Sequence, residues 1–220
     1  MIQFSLISIQ AISMISAFDI FKIGIGPSSS HTVGPMRAGK TFCEDLVQKG
    51  LLERTTRVGA DVYGSLSLTG HGHHTDQAIL LGLEGFLPDT VPLERIPSII
   101  EGICRTGKLL LNGQREVEFP KDSGMVFHSE FLPLHENGMT LHAWEGEKLL
   151  FERTYYSIGG GFIVDEAHIH DQPKEEVRVP YPYSTAAELI AHCRESGLSI
   201  SGLALENEKA RRPMKEILAH

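Results

Sequence analysis

Residues 57–86 read RVGADVYGSLSLTGHGHHTDQAILLGLEGF, and three patterns succeed one another within them. From Arg57 to Leu68, Val58, Ala60, Val62, Gly64, Leu66 and Leu68 alternate with more polar residues, the period of a half-buried strand. Residues 69–75 are polar and carry two glycines, the composition of a loop. Thr75 is a good helix N-cap and Asp76 suits a first turn, so a helix is predicted from Asp76 to about Phe86. Strand, loop and helix in so short a span predict a domain that mixes sheet and helix.

Upstream, the loop Gly24–Ser30 leads into a helix predicted from His31 to Leu52, with Val33, Met36, Phe42, Leu46 and Val47 on one face. Ser30 or Thr32 can cap it, and Pro35 falls in the first turn, where a missing N–H is harmless. Downstream, Pro88, Pro92 and Pro97 punctuate the chain before a short helix from Pro97 to Arg105. The period then changes. Residues 109–119 predict a hairpin turning at Asn112-Gly113. Met125–Phe131, Met139–Trp144 and Leu149–Ile158 read as further strands, the last ended by Gly159-Gly160-Gly161. Residues 20–165 therefore read as α+β with an antiparallel part.

Residues 166–183 carry Pro173, Pro180 and Pro182 among charges, like a linker. Two helices follow: Thr185-Ala-Ala-Glu188 is a capping box, Gly197 closes the first helix, and Ser199 can cap the second, which meets Pro213 near its end. A helix pair alone builds no core, so residues 184–220 read as the opening of a second, helical domain, under-packed and exposing Leu189, Ile190, Leu203 and Leu205. At the other end, residues 1–17 are apolar but lack the basic residues of a secretory signal, and Asp19 and Lys22 stop them short of a membrane span. The expectation is a start at Met14, with residues 1–13 a non-structural extension.

Composition narrows the function classes. The net charge is −8, and no basic run exceeds Arg211–Arg212, so a nucleic-acid footprint is missing. Cys43, Cys104 and Cys193 are an odd, widely spaced set without CxxC. They suit a reducing cytosol, and each falls in or beside a helical apolar pattern, where Cys is usually a small core residue.

Three loops carry possible chemistry. Gly26–Thr32 (GPSSSHT) places free N–H groups and hydroxyls at a helix start, a cradle for a carboxylate or phosphate, or simply a serine-rich cap. Gly70–Asp76 (GHGHHTD) lies between strand and helix; its histidines suit proton transfer near neutral pH with Asp76 orienting them, or a metal site, or a plain solvent-facing loop. His135–Gly138 (HENG) is either functional or a hairpin turn. The three are expected to converge on one surface.

The ordered strings go further. Phe18–Met36 (FDIFKIGIGPSSSHTVGPM) resembles the opening of bacterial iron–sulfur L-serine dehydratases (L-serine ammonia-lyases) of the single-chain type. So do Thr69–Asp76, Leu132–Met139 (LPLHENGM), Tyr156–Gly161 (YSIGGG), Gly197–Ser201 and Leu205–Asn207. The resemblance implies a β domain over residues 14–165, similar to the allosteric substrate-binding domain of phosphoglycerate dehydrogenases. A linker (166–183) and the first helices of an α domain (184–220) follow. It implies a cytoplasmic lyase, free of pyridoxal phosphate, that converts L-serine to pyruvate and ammonia with a [4Fe-4S] cluster. Ser28, Ser29, Ser30, His31 and Thr32 match the substrate-binding loop, and His73 matches the candidate base, with Thr75 and Asp76 in support. His135 and Asn137 match a His-x-Asn motif near the substrate. Cys43, Cys104 and Cys193 match no cluster ligand. The chain thus reads as the amino-terminal portion, binding no metal itself, with cluster cysteines expected beyond residue 220. The implied partners are L-serine, the missing α domain in the same or a separate chain, and a second copy in a homodimer. A non-catalytic serine- or effector-binding regulatory module is the alternative. A zinc hydrolase on His71, His73 and His74 lacks a carboxylate motif such as HExxH.

Overall fold

A computed structural model describes residues 16, 18, 24–169 and 177–219. The chain divides into two units, Lys22–His170 and the combination of Met1–Phe21 with Asp171–His220. Residues 1–13, expected to be non-structural, lie outside the described residues, as do residues 170–176 of the expected linker.

The first unit is α+β. Its core strand is β1 (Arg57–Val62). The others are β2 (Lys108–Leu111), β3 (Arg115–Glu118), β4 (Met125–Phe127), β5 (Gly138–Glu145), β6 (Lys148–Gly159) and β7 (Phe162–Asp165). They form one mixed sheet in the order β2-β3-β1-β5-β6-β7, with β4 also paired to β1. β3 and β4 run parallel to β1 and share one of its edges, Glu118 against Arg57 and residues 125–127 against residues 60–62. β5 pairs antiparallel along the other edge, Val62 against Met139. Residues 128–137 therefore cross the carboxyl end of β1, which sets His135 and Asn137 there.

Helices α1 (Val33–Gln48), α4 (Thr75–Leu83) and α5 (Ile96–Thr106) belong to the same unit. Phe42 and Leu46 of α1 and Ile79 and Leu83 of α4 share a buried core with Val58, Ala60 and Val62 of β1 and with Met139, Leu141 and Tyr155. Period-2 alternation places the intervening residues on the other face of the sheet. That face is polar: Asp61 accepts from His128 Nε2 (2.5 Å) and His142 Nε2 (2.7 Å).

The structure corrects several sequence expectations. The strand ends at Val62, not Leu68. Gly64 turns the chain with φ +55°, a conformation that favours glycine, and a Cβ there would collide with the Glu136 carbonyl oxygen. Residues 64–68 are instead a short helix, α2 (Gly64–Leu68), with Leu66 fully buried and Leu68 64% exposed. An i, i+2 apolar pattern lasting five residues cannot tell the two apart. Residues 70–73 form another turn of helix, α3 (Gly70–His73), rather than an open loop. His74, at φ 60°, occupies the cap position of α4, so Thr75 is its first helical residue and not its N-cap. α1 starts at Val33, and neither Ser30 nor Thr32 caps it through the side chain. The Asn112-Gly113 hairpin forms, but Leu111 pairs with Arg115, a three-residue turn. β4 stops at Phe127, and β7 has no counterpart in the sequence reading.

In the second unit, α6 (Ala186–Ser196) has the expected capping box between Thr185 and Glu188, and Gly197 closes it at φ 73°. Ser199 caps α7 (Ile200–Lys209) by accepting from the Gly202 N–H. Pro213 does not lie within α7; it precedes a third helix, α8 (Met214–Ala219). α6 buries no residue, and Ile190 is exposed as expected. Leu203, expected to be exposed, is fully buried. Glu208 accepts from Ser16 Oγ (2.8 Å), and Asn207 bonds both main-chain groups of Tyr181. No described helix is long and apolar enough to cross a membrane.

Candidate functional site

The turn at Ser28–Thr32 is built from its own hydroxyls. Thr32 Oγ1 donates to the Ser28 carbonyl (2.7 Å), which also accepts from the N–H groups of His31 and Thr32. The Ser29 carbonyl accepts from Gly34 N (3.0 Å). Among the described residues, the N–H groups of Ser29, Ser30 and Val33 find no acceptor. Free amides at the start of a sixteen-residue helix are the elements of an anion site.

The three loops come together at the carboxyl end of β1. Thr75 Oγ1 donates to the His31 carbonyl (2.9 Å), tying the start of α4 to the serine loop. The His31 and His73 rings lie 4.9 Å apart, centroid to centroid. Ser65 Oγ is 3.2 Å from His31 Nε2, and Ser65 N donates to the Glu136 carbonyl (2.9 Å). Ser157 of β6 joins the remaining pieces. Its Oγ donates to the Ser30 carbonyl (2.7 Å), its N to the Asn137 carbonyl (2.9 Å), and its carbonyl accepts from Asn137 Nδ2 (3.3 Å). Helix α1 reaches Ser157 only because residue 34 is glycine: a Cβ there would lie 2.9 Å from Ser157 Cβ and nearer still to Oγ.

Each histidine has its own setting. His73 Nδ1 donates to the Thr69 carbonyl (3.0 Å), which leaves Nε2 as the acceptor nitrogen of the neutral ring. That carbonyl orients the ring at Nδ1, and Asp76 sits in the first turn of α4. His74 Nδ1 accepts from Gln77 Nε2 (3.1 Å), away from the serine loop's contacts. The side chain of His71 lies outside the described residues. His31 is held below the ordinary histidine value by burial first and by His73 second, opposed by Ser65 and Glu136. His135 Nδ1 accepts from Asn137 N (3.1 Å).

Asn137 is buried, and its Oδ1 has no hydrogen-bond partner among the described residues. An orphaned buried acceptor costs about 1–3 kcal/mol, so it stands ready for a donor brought by a ligand.

The residues that the motifs missed are Ser65 and Ser157. Ser157 lies within the YSIGGG string, so a signal existed. Ser65 sits inside a segment read as strand, where nothing distinguishes it.

The cysteines have separate settings. Cys43 is buried, and its Sγ donates to the Leu83 carbonyl (3.1 Å). Burial pushes its thiol up to about 12, which disfavours the thiolate. Cys104 is exposed, contrary to the core position expected of it. Cys43 and Cys104 fall in one unit and Cys193 in the other. No group of three metal-binding side chains is found among the described residues, and a buried thiol bonded to a carbonyl is not a ready thiolate ligand for a [4Fe-4S] cluster. Alkylation of the folded chain at pH 8 is expected to label Cys104 fast and to spare Cys43. Labelling of Cys43 at a comparable rate would contradict its buried, bonded state.

A sequence profile described as serine dehydratase beta chain matches residues 16–168. The chain is 60% identical over 205 residues to L-serine dehydratase 1 of Escherichia coli K12, covering 93% of this chain and 45% of that protein. It is 61% identical over 208 residues to L-serine dehydratase 2 of the same organism, covering 94% and 46%. It is 52% identical over 209 residues to an L-serine dehydratase of Haemophilus influenzae, covering 94% and 46%. The chain spans about half the length of these curated relatives. A match over most of its length, on a mixed α+β unit whose serine loop meets His73 and Asn137, places the chain in the serine dehydratase beta chain family.

Proposed function

We propose that this chain supplies the substrate-gripping half of a cytoplasmic L-serine dehydratase. The observation that carries the reading is the convergence of Ser28–Thr32, His73 and Asn137 at one end of β1. L-Serine brings a carboxylate, an ammonium and an α-proton that must be removed. The amides of Ser29, Ser30 and Val33, with the Ser28 hydroxyl, suit the carboxylate, aided by the positive end of α1. Asn137 Oδ1 is the acceptor for the ammonium. His73 Nε2 takes the α-proton, with the Nδ1–H bond to Thr69 holding the ring for the transfer. His135 supports Asn137 through its main chain.

Loss of the proton from Cα and of hydroxide from Cβ gives aminoacrylate, which tautomerises to the imine and is hydrolysed to pyruvate and ammonia. Hydroxide is a poor leaving group, and its departure needs an electrophile. In this family's chemistry that is a [4Fe-4S] cluster, and the cysteines of this chain do not fit one, so no step is assigned to it here. The helical α domain that completes the enzyme, in the same or another chain, and a homodimer belong to the proposal. Its support is that the relatives are about twice as long as this chain.

Anaerobic treatment of the purified 220-residue chain with iron and sulfide tests the division of labour. The expected result is no stoichiometric cluster absorbance and no pyruvate from L-serine. Absorbance that disappears in a triple Cys→Ser variant would mean that the three cysteines meet after all.

A further inference from the structure

A cradle for an anion needs its N–H groups free and its carbonyl oxygens bonded elsewhere, because an unbonded carbonyl oxygen repels a carboxylate. In the serine loop all five carbonyls from Ser28 to Thr32 are bonded. The turn and the start of α1 supply the donors for three of them: Thr32 Oγ1 and the N–H groups of His31 and Thr32 for Ser28, Gly34 N for Ser29, and Met36 N for Thr32. Among the described residues, the other two carbonyls accept only from hydroxyls far along the chain. His31 takes Thr75 Oγ1 (2.9 Å), and Ser30 takes Ser157 Oγ (2.7 Å).

Ser157 is fully buried on β6, and α1 packs so closely on it that a Cβ at residue 34 would overlap its Oγ. The direction of each bond at Ser157 is fixed by a main-chain group. The Ser30 carbonyl can only accept, so the Ser157 hydroxyl donates to it. The Ser157 carbonyl also can only accept, so it takes Asn137 Nδ2 (3.3 Å); the reversed amide would set two oxygens face to face. That bond leaves Oδ1, the orphaned acceptor, as the free end of the amide. Ser157 N completes the set by donating to the Asn137 carbonyl (2.9 Å). One residue therefore holds the serine loop by its side chain and Asn137 by its main chain.

We infer that Ser157 is a positioning residue: its hydroxyl keeps the Ser30 carbonyl bonded away from the anion cradle, and its main chain fixes which end of the Asn137 amide is offered to the substrate. The inference rests on reading Ser28–Thr32 as the carboxylate grip, but its first test does not. Replacing the side chain removes one of the three bonds and spares the two to Asn137, so the two ends of the site separate experimentally.

The test compares the ¹⁵N-labelled 220-residue chain with its Ser157→Ala variant, first free and then titrated with L-serine. In the free chain, the His31 amide, which shares a peptide group with the Ser30 carbonyl, is expected to shift. The Asn137 side-chain amide is expected to stay near its parent position. In the titration, the variant is expected to bind L-serine about tenfold more weakly, the scale of one unsatisfied polar group. Should the alanine variant fail to fold, Ser157→Cys, a weaker donor, takes its place, with smaller changes in the same directions. A His31 amide at its parent position overturns the inference.

In the complete enzyme, Ser157→Ala is expected to raise KM for L-serine about tenfold with kcat within about threefold, the signature of lost ground-state binding. Loss confined to kcat contradicts the role. Unchanged affinity in the variant, where the parent's Ser29, Ser30 and Val33 amides respond to L-serine, overturns the inference alone. No response of those amides in the parent overturns the carboxylate reading, and the inference with it.

Discussion

His73→Ala, in a complete enzyme formed by joining this chain to the remaining half of an Escherichia coli relative, is expected to lower kcat about 10²–10⁴-fold and to move KM by no more than about threefold. A residue that takes a proton in the transition state contributes there and little to ground-state binding. The geometry singles out His73 within its loop: Nδ1 is committed to the Thr69 carbonyl, and the ring faces His31 beside the serine loop. His74 turns to Gln77 instead. His74→Ala and His71→Ala are expected to cost less than a tenth of the His73→Ala effect. Equal kcat losses in all three variants would mean that the loop acts as a unit and that His73 is not the base.

The second large effect is on stability. Helices α1 and α4 approach backbone to backbone at Gly39 and Gly82. A Cβ on Gly82 would lie 2.9 Å from the Met36 carbonyl carbon, nearer still to its oxygen, and 3.1 Å from Gly39 Cα. A Cβ on Gly39 would lie 2.8 Å from Leu83 N. Backbone cannot rotate aside as a side chain can, so Gly82→Ala must push the helices apart. The expected cost is about 3 kcal/mol, the upper end of the overpacking range. Gly102→Ala on α5 is the control. Its Cβ meets nothing within 4 Å, and alanine in a helix is worth about 0.5–1 kcal/mol over glycine. Urea unfolding should separate the two variants in opposite directions. Parent-like stability for Gly82→Ala would mean that the helices do not touch as described. Because α4 carries Thr75 and α1 follows the serine loop, the same shift should weaken the Thr75–His31 link and with it the site.

Local signals made parts of this architecture legible. Thr185 with Glu188, Gly197 and Ser199 announced the caps of α6 and α7, because capping is decided by four or five consecutive residues. Asn112-Gly113 announced the hairpin, since both residues adopt positive φ there. The apolar face of α1 announced a helix, although its start lies two residues later than read. What failed depended on partners distant in sequence. Alternation continued through Gly64, Leu66 and Leu68, but the chain turns because Gly64 and Ser65 bond the carbonyls of Glu130 and Glu136. Thr75 looked like a cap, yet His74 takes the left-handed position and frees the Thr75 hydroxyl for His31. Leu203 looked exposed in a helix pair but is buried.

The candidate site divides in the same way. Its serines, histidines and Asn137 stood out as polar, glycine-bearing strings, and their resemblance to the L-serine dehydratases gave them roles. Ser157 and Ser65, which hold those residues in register, belong to a strand and a short helix, where a serine carries no signal of its own. Their positions follow from the crossing of residues 128–137 over β1, a feature of tertiary topology.

The central claim is that Ser28–Thr32, His73 and Asn137 form one L-serine site. Titration of the ¹⁵N-labelled 220-residue chain with millimolar L-serine, followed by amide and imidazole shifts, tests it most directly. The account predicts saturable shifts at Ser29, Ser30 and Val33, at the His73 ring and at the Asn137 side-chain amide, absent with D-serine. Shifts confined to α6–α8 or to the Asp61 face of the sheet, or none at the three loops at any concentration reached, would contradict it.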